Sequence, residues 1–260
     1  MAQTNAGDER PSSWLSAVLG FGLASFLSDA GHEAATAAMP ALLASLGAAP
    51  AALGLIEGLS DGFSSFAKLG GGWIANRPRW RKPITVLGYL VTGLSNGVYA
   101  LATAWPHVLA ARGVGWLAKG FRGPARDTML ADSVTDATRG RAFGFHRAMD
   151  TAGAVVGPGL AAILIATHPV RQVFLWALIP GVAAALAVML LVKPDSTPTP
   201  APVAFWKSIG DLPAPFRRFL VAVFLFGLGE RPSNWSFPRT SNTWPPRAAR
   251  ACSSFSSSLR

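Results

Sequence analysis

The sequence predicts an all-α fold: a polytopic membrane helix bundle of six transmembrane helices followed by an incomplete seventh. Three observations predict it. Half of the 260 residues are hydrophobic and only 14% are charged, against about a quarter charged in soluble domains. The apolar residues fall in blocks of about 20, the length that crosses a hydrocarbon core about 30 Å thick. Gly and Ala are frequent inside those blocks, as expected where membrane helices pack closely.

The first apolar block runs from Trp14 to Leu46 and carries Asp29, His32 and Glu33 inside it. An uncharged connection leads to the second block, Ala51 to Ile74. A short, strongly basic turn follows from Asn76 to Pro83, then a third block from Ile84 to Ala104. After a tight turn at Trp105-Pro106-His107, the fourth block covers Val108 to Phe121 and contains Arg112 and Lys119. A polar connection of both signs extends from Arg122 to Arg141. The fifth block is Ala142 to Ala166, and His168 to Arg171 turns the chain into the sixth, Val173 to Val192. The segment Lys193 to Pro215 reads as a linker. A seventh apolar block begins at Phe219 and stops at Gly229, too short to span.

The expected organisation is therefore a cytoplasmic N-terminus (1–13), a six-helix bundle (14–192), a cytoplasmic linker (193–218), an incomplete seventh helix (219–229) and a tail (230–260). The tail is rich in Ser, Pro, Arg and Trp, has no helical or strand period, and is expected to be disordered. Two readings of it stand: a functional cytoplasmic tail, or the product of a frame change or truncation that cuts the seventh helix in mid-course.

The net charge of +10 does not point to nucleic acid, which requires a solvated basic face. The Lys and Arg residues sit mostly in short connections and in the tail. Connections after the second, fourth and sixth blocks are basic, and those after the first, third and fifth are nearly uncharged, with Arg171 the exception. By the positive-inside rule the even connections and the N-terminus face the cytoplasm. The N-terminus lacks the basic region of a cleaved signal peptide, so the first block stays as a helix. Cys252, the single cysteine, permits no intramolecular disulfide.

An ionisable side chain inside a span costs about 2.5–3.5 kcal/mol on insertion scales unless it meets a partner or a wet cavity. Asp29 and Glu33 share a helix face, as do Glu57 and Asp61, each pair being spaced i,i+4. Helical rise places Glu33, Glu57 and Arg112 in one layer of the outer third, Asp61 near the middle, and Lys68, Lys119 and Asp150 nearer the cytoplasm. Two acidic stripes suggest a polar cavity between the first two helices. A desolvated carboxylate can take up and release a proton near neutrality, and a nearby arginine controls it. Plainer readings stand beside this one. Glu57 is hydrated near a helix end, Lys68, Lys119 and Arg147 snorkel to the interface, and Asp150 pairs structurally with Arg147 or Lys119. His32-Glu33-Ala34-Ala35-Thr36 is not H-E-x-x-H, so no metal site is expected. Trp14, Trp73, Trp80 and Trp105 fall near span ends and fit an aromatic belt.

Two motifs carry a family resemblance. The stretch Gly72-Trp73-Ile74-Ala75-Asn76-Arg77-Pro78-Arg79-Trp80-Arg81-Lys82 resembles the loop motif of the major facilitator superfamily, G-x-L-x-D-R-x-G-R-R-x, with matches at Gly72, Arg77, Arg81 and Lys82. Asn76 stands in place of the usual Asp, Arg79 of the usual Gly, and Trp80 of the usual Arg. Gly144, Gly153 and Gly157-Pro158 resemble the fifth-helix motif of the family's proton-coupled exporters, with Ala161-Ala162 replacing its closing glycines. Arg112 resembles the family's buried basic residue of the fourth helix. Ser28 to Glu33, followed by Pro40, is similar to the first helix of a bacterial subgroup of exporters.

The resemblance implies the first half of a twelve-helix fold and a secondary transporter in the inner (plasma) membrane. It implies proton-coupled efflux of a small solute, with Asp29, Glu33, Glu57, Asp61 and Arg112 as coupling and cavity residues. No cofactor is implied. The partners are the lipid bilayer, a small-molecule substrate and protons, and either a second copy of the chain or a missing C-terminal half. The alternatives are a non-functional truncated fragment of such a transporter and, more remotely, an intramembrane enzyme using His32, Glu33 and Asp29.

Overall fold

The computed structural model describes residues 13–193 and 212–229. The expected tail, residues 1–12 of the expected N-terminus and most of the expected linker lie outside the described residues. All regular structure among the described residues is helical. It comprises α1 (Ser13–Ser45), α2 (Pro50–Ala75), α3 (Pro78–Val98) with a short 3-10 turn (Tyr99–Leu101), α4 (Trp105–Asp132), α5 (Asp136–Thr167), α6 (Val170–Leu191) and α7 (Ala214–Gly229).

The breaks between helices follow local chemistry. α1 ends in a Schellman arrangement. Gly47 adopts φ 68°, the Gly47 amide donates to the Ala44 carbonyl, and the Ala48 amide donates to the Leu43 carbonyl, as at many helix C-termini. Proline in the first turn starts α2, α3 and α4, where its missing N–H leaves no donor unsatisfied.

Two connections are much shorter than the sequence suggests. The basic turn expected over 76–83 shrinks to Asn76 and Arg77, because Pro78 opens α3 and the basic residues form its first turn. The polar connection expected over 122–141 is almost wholly helical. α4 continues to Asp132 and α5 begins at Asp136, because Arg122 and Arg126 find partners inside the bundle. α7 likewise begins at Ala214, before the apolar block that starts at Phe219.

The helices pack in the spatial order α2–α4–α3–α6–α1–α5, with α1 and α4 meeting lightly at the centre. α1 and α5 pack backbone against backbone. A Cβ at Gly157 would lie 2.6 Å from the Ala30 carbonyl oxygen, and one at Gly153 would strike the Phe26 carbonyl oxygen. Only glycine lets the two backbones approach this closely.

The bundle is inverted relative to a soluble protein. Large apolar side chains cover its outside: Phe66, Leu101, Val155 and Leu190 are 71–76% exposed, the pattern suited to lipid rather than water. Among the described residues, three helices are long and apolar enough to cross a membrane: α3 with its 3-10 extension (Pro78–Leu101), α5 and α6. α1, α2 and α4 are as long, but carry charged and polar residues along their inner faces.

The interior is layered. One apolar cluster gathers Ala35, Met39 and Leu42 of α1 with Ile56, Tyr99, Val108 and Phe174. A second gathers Val18, Phe21 and Ala24 of α1 with Tyr89, Leu130, Ala142 and Val188. Between them along α1 lie Ser25, Ser28, Asp29, His32 and Glu33, the first polar stripe read in the sequence.

Candidate proton-coupling and substrate site

The polar layer is organised by α4. Arg112, Lys119, Arg122 and Arg126 reach partners on α1, α2 and α3, so this helix carries a ladder of cations into the centre of the bundle. Each lies roughly one or two turns from the next. At the top, Arg112 Nη2 donates to Glu57 Oε2 of α2 at 2.6 Å, and both terminal nitrogens lie 3.4 Å from Thr36 Oγ1 of α1. Arg112 is 1% exposed and Glu57 22%, so the pair is buried on one side only. One turn below, Trp116 packs edge-on to His32, with ring centroids 5.3 Å apart. Lys119 Nζ lies 3.6 Å from Asp29 Oδ1 and 5.1 Å from the Trp116 ring.

Further down, Arg122 stacks its guanidinium 3.7 Å from the Tyr89 ring of α3 and points Nη1 at Ser28 Oγ, 3.4 Å away. The space it fills is left by Gly88, where a Cβ would lie 2.6 Å from the Arg122 Cβ. Arg126 pairs with its neighbour Asp127 at 2.9 Å and reaches Ser25 Oγ at 3.4 Å. Ser25 Oγ in turn lies 3.3 Å from the Tyr89 hydroxyl.

Of the residues singled out in the sequence, the structure brings Glu57 and Arg112 together. Asp29 joins Lys119 instead of sharing a site with them. Glu33 does not reach Arg112: its Cβ faces Gly157 of α5, and Thr36 takes the position beside the arginine. Asp61 is exposed, and neither Asp61 nor Glu33 forms an ion pair among the described residues. The two acidic stripes are thus joined through α4, because α1 and α2 barely touch. Asp150 pairs with Arg147 at 3.1 Å, one of the two partners expected for it.

The loop motif forms a separate cluster. Arg81 is buried; its Nε donates to the Ala75 carbonyl at 2.5 Å and its Nη1 to Asp132 Oδ2 at 2.8 Å. It therefore ties the start of α3 to the ends of α2 and α4. Lys82 Nζ donates to the Met189 carbonyl in the last turns of α6, and Arg77 lies 3.8 Å over the Trp73 ring. Asn76 is the C-cap of α2; Asp132 of α4 supplies the carboxylate that a neutral Asn76 lacks. Gly72 has open space where a Cβ would stand. In the fifth-helix motif, Gly153 and Gly157 make the close contact with α1, whereas Gly144 faces open space and Pro158 lies within α5.

Sequence reasoning missed Arg122, Arg126, Tyr89 and His146. The two arginines fall in the expected connection because their charges end the apolar block. The available signal was their i,i+4 spacing, which continues the inward face of α4. His146 is 1% exposed, with neither ring nitrogen hydrogen-bonded.

The model of the Major Facilitator Superfamily matches residues 21–243 of this chain. The chain belongs to the major facilitator superfamily. An uncharacterized MFS-type transporter of Methanocaldococcus jannaschii is 30% identical over 218 residues, covering 83% of this chain and 53% of the relative. An uncharacterized protein of Mycobacterium tuberculosis is 33% identical over 201 residues, 74% of this chain and 48% of that protein. Multidrug resistance protein 1 of Bacillus subtilis is 27% identical over 118 residues, covering 45% of this chain. The crystal structure of the human organic anion transporter MFSD10 (TETRAN) superposes with a TM-score of 0.57 at 21% identity, over 80% of this chain and 55% of that one. That likeness concerns the fold alone. This major facilitator chain spans about half the length of the curated relatives it matches.

Proposed function

We propose that the chain forms the first six-helix half of a secondary transporter that exports a small solute across the inner membrane in exchange for protons. In this reading α1–α6 each span the bilayer. The N-terminus, the α2–α3 turn, the α4–α5 turn and the end of α6 face the cytoplasm. The observation that carries the reading is the Arg112–Glu57 ion pair at 2.6 Å, set between apolar layers and joined to α1 through Thr36. A fixed cation against a carboxylate open on one side is a proton-controlled element. Solute or helix movement that draws Arg112 away from Glu57 would break this pair and so link the proton gradient to the movement of α2 against α4. Membership of the superfamily and the multidrug resistance relatives of Bacillus subtilis support small-solute export.

Transporters of this kind place substrate at the interface between two halves. The second wall of the cavity is supplied either by a second copy of this chain or by a C-terminal half. The test is uptake of radiolabelled organic acids, amines and neutral solutes into proteoliposomes with an acidic interior, the chain being present alone or with a second six-helix half. An exporter of this type accumulates its solute as protons leave. Glu57→Gln combined with Glu33→Gln should abolish the component driven by the pH gradient while leaving solute-for-solute exchange. Retention of gradient-driven uptake in that variant sinks the coupling mechanism.

A further inference from the structure

Two cations stand at the mouth of an apolar groove on the outside of the bundle. The groove, of about 430 Å³, runs between the start of α3 and the end of α6. Pro83, Val86, Leu90 and Met189 line it, and Arg79 and Lys82 form its charged end. Lys82 Nζ donates one N–H to the Met189 carbonyl at 2.9 Å, which leaves its ammonium two further donors. Arg79 is exposed, with its guanidinium 5.6 Å from the Trp80 ring. Neither forms an ion pair among the described residues. No Asp or Glu lines the groove, and the first turn of α3 holds no acid. The neighbouring cations are engaged elsewhere: Arg81 by Asp132 and Arg77 by the Trp73 ring.

This surface faces lipid. α3 and α6 are both long and apolar enough to cross a membrane, and Leu87 of α3 and Leu190 of α6 are 57% and 74% exposed. Arg79, Pro83 and Leu87 follow one another at i, i+4 and i+8, a single stripe down the outer face of α3. Leu87 lies about 12 Å along the helix axis from Arg79. It is also the wall shared with a second groove of about 310 Å³, formed with Ile74 of α2, Val91 of α3 and Phe121 of α4. The start of α3 therefore holds free cations at the level of the membrane interface, with Trp80 exposed beside them. Below them lie two apolar grooves, one on the α6 side of Leu87 and one on the α4 side.

We propose that Arg79 and Lys82 seat the phosphate of an anionic glycerophospholipid, whose two acyl chains lie in the grooves on either side of Leu87. Charge and shape are matched together. A diacyl lipid carries one phosphodiester and two chains, whereas a soluble anion leaves both grooves unfilled. Arg79 can hold the phosphate through paired N–H donors, and Lys82 holds it as a point charge. Basic pockets between helix ends on the cytoplasmic side suit such headgroups. A zwitterionic lipid fills the grooves equally well but brings an ammonium toward two cations. Seated there, the anionic lipid bridges the start of α3 and the end of α6. The proposal rests on α3 and α6 crossing the bilayer, as the transporter reading has them, and on neither proton coupling nor transport.

The test counts lipids bound to the full chain by native mass spectrometry in detergent, with phosphatidylglycerol titrated against phosphatidylcholine of the same chains. The expected result is saturable binding of one phosphatidylglycerol, half-saturating about twentyfold below phosphatidylcholine, since each interfacial cation contributes about fivefold. Arg79→Gln should raise the half-saturating concentration about fivefold. Arg141→Gln removes the same charge from an exposed position at the start of α5, and should leave it unchanged. Glycerol 3-phosphate in excess should not displace the lipid. The proposal is overturned if the two lipids bind alike, or if Arg79→Gln binds as the wild type does. It is also overturned if Arg141→Gln weakens binding as much as Arg79→Gln, which makes the preference one of overall charge. Displacement by glycerol 3-phosphate overturns it too, since that makes the site one for a soluble anion. A chain that binds the lipid as expected but moves no solute leaves the proposal standing while the transporter reading falls.

Discussion

Arg112 and Glu57 differ in how far each can fall back on water, and this sets the sign of a simple comparison. Glu57→Leu leaves a guanidinium that is 1% exposed with no carboxylate, and should cost about 3 kcal/mol. Arg112→Leu leaves a carboxylate that is 22% exposed and can be hydrated, so the loss should be nearer about 1 kcal/mol. Reversible unfolding in mixed micelles measures both, and the double variant should recover part of the larger loss. Equal costs for the two single variants would show that Glu57 is as dry as its partner. Arg112 and Glu57 could be read from the sequence because each lies well inside a predominantly apolar block. Arg122 could not, because it stands where charges become frequent. Helical rise fixes the depth of Glu33 but not which neighbour its face meets, and that neighbour is Gly157 of α5.

At the scale of the element, α5 shows how one motif divides into parts with different physics. Gly153→Ala and Gly157→Ala place a methyl against backbone carbonyls of α1, and should each destabilise the bundle by about 1–3 kcal/mol. Gly144→Ala meets open space and should change stability by less than about 0.5 kcal/mol. Unfolding midpoints of the three variants distinguish the packing glycines from the one whose reason is not packing. Helix existence was largely visible in the sequence, because long apolar blocks separated by Pro, Gly and charge leave few alternatives. Helix ends were not. The first turn of α3 and the last turns of α4 are polar, and only tertiary partners (the Ala75 carbonyl and Asp132 for Arg81, Tyr89 for Arg122) keep them helical. Arg171, the one basic residue on the expected outer side, donates to the carbonyls of Ala100 and Ala102 at 2.6 and 2.8 Å. It seals the end of the 3-10 turn, which gives it a local reason to be there that topology does not supply.

For the whole molecule, the proposed orientation has a direct check. In a Cys252→Ser background, Asn76→Cys and Ala49→Cys place single thiols on the exposed α2–α3 and α1–α2 turns. A membrane-impermeant maleimide should label position 49 in intact cells, and position 76 only after the membrane is opened. The reverse pattern would invert the topology. The proposed orientation rests on the alternation of basic and uncharged connections. The spatial order of the helices was not readable, because it depends on which small residues face which backbone.

The contrast between apolar and polar helices also bears on how the chain enters a membrane. α3, α5 and α6 are apolar enough to partition into lipid by themselves, whereas α1, α2 and α4 bring charges that lipid rejects. In the folded bundle α4 leans on α3, and α1 is held between α5 and α6. Biogenesis is then a question of sequence in time. In the proposed six-span topology, α1, α2 and α4 are held at the insertion machinery until their apolar neighbours emerge. α1 waits longest, for almost the whole bundle must be made before its ionisable side chains are sheltered.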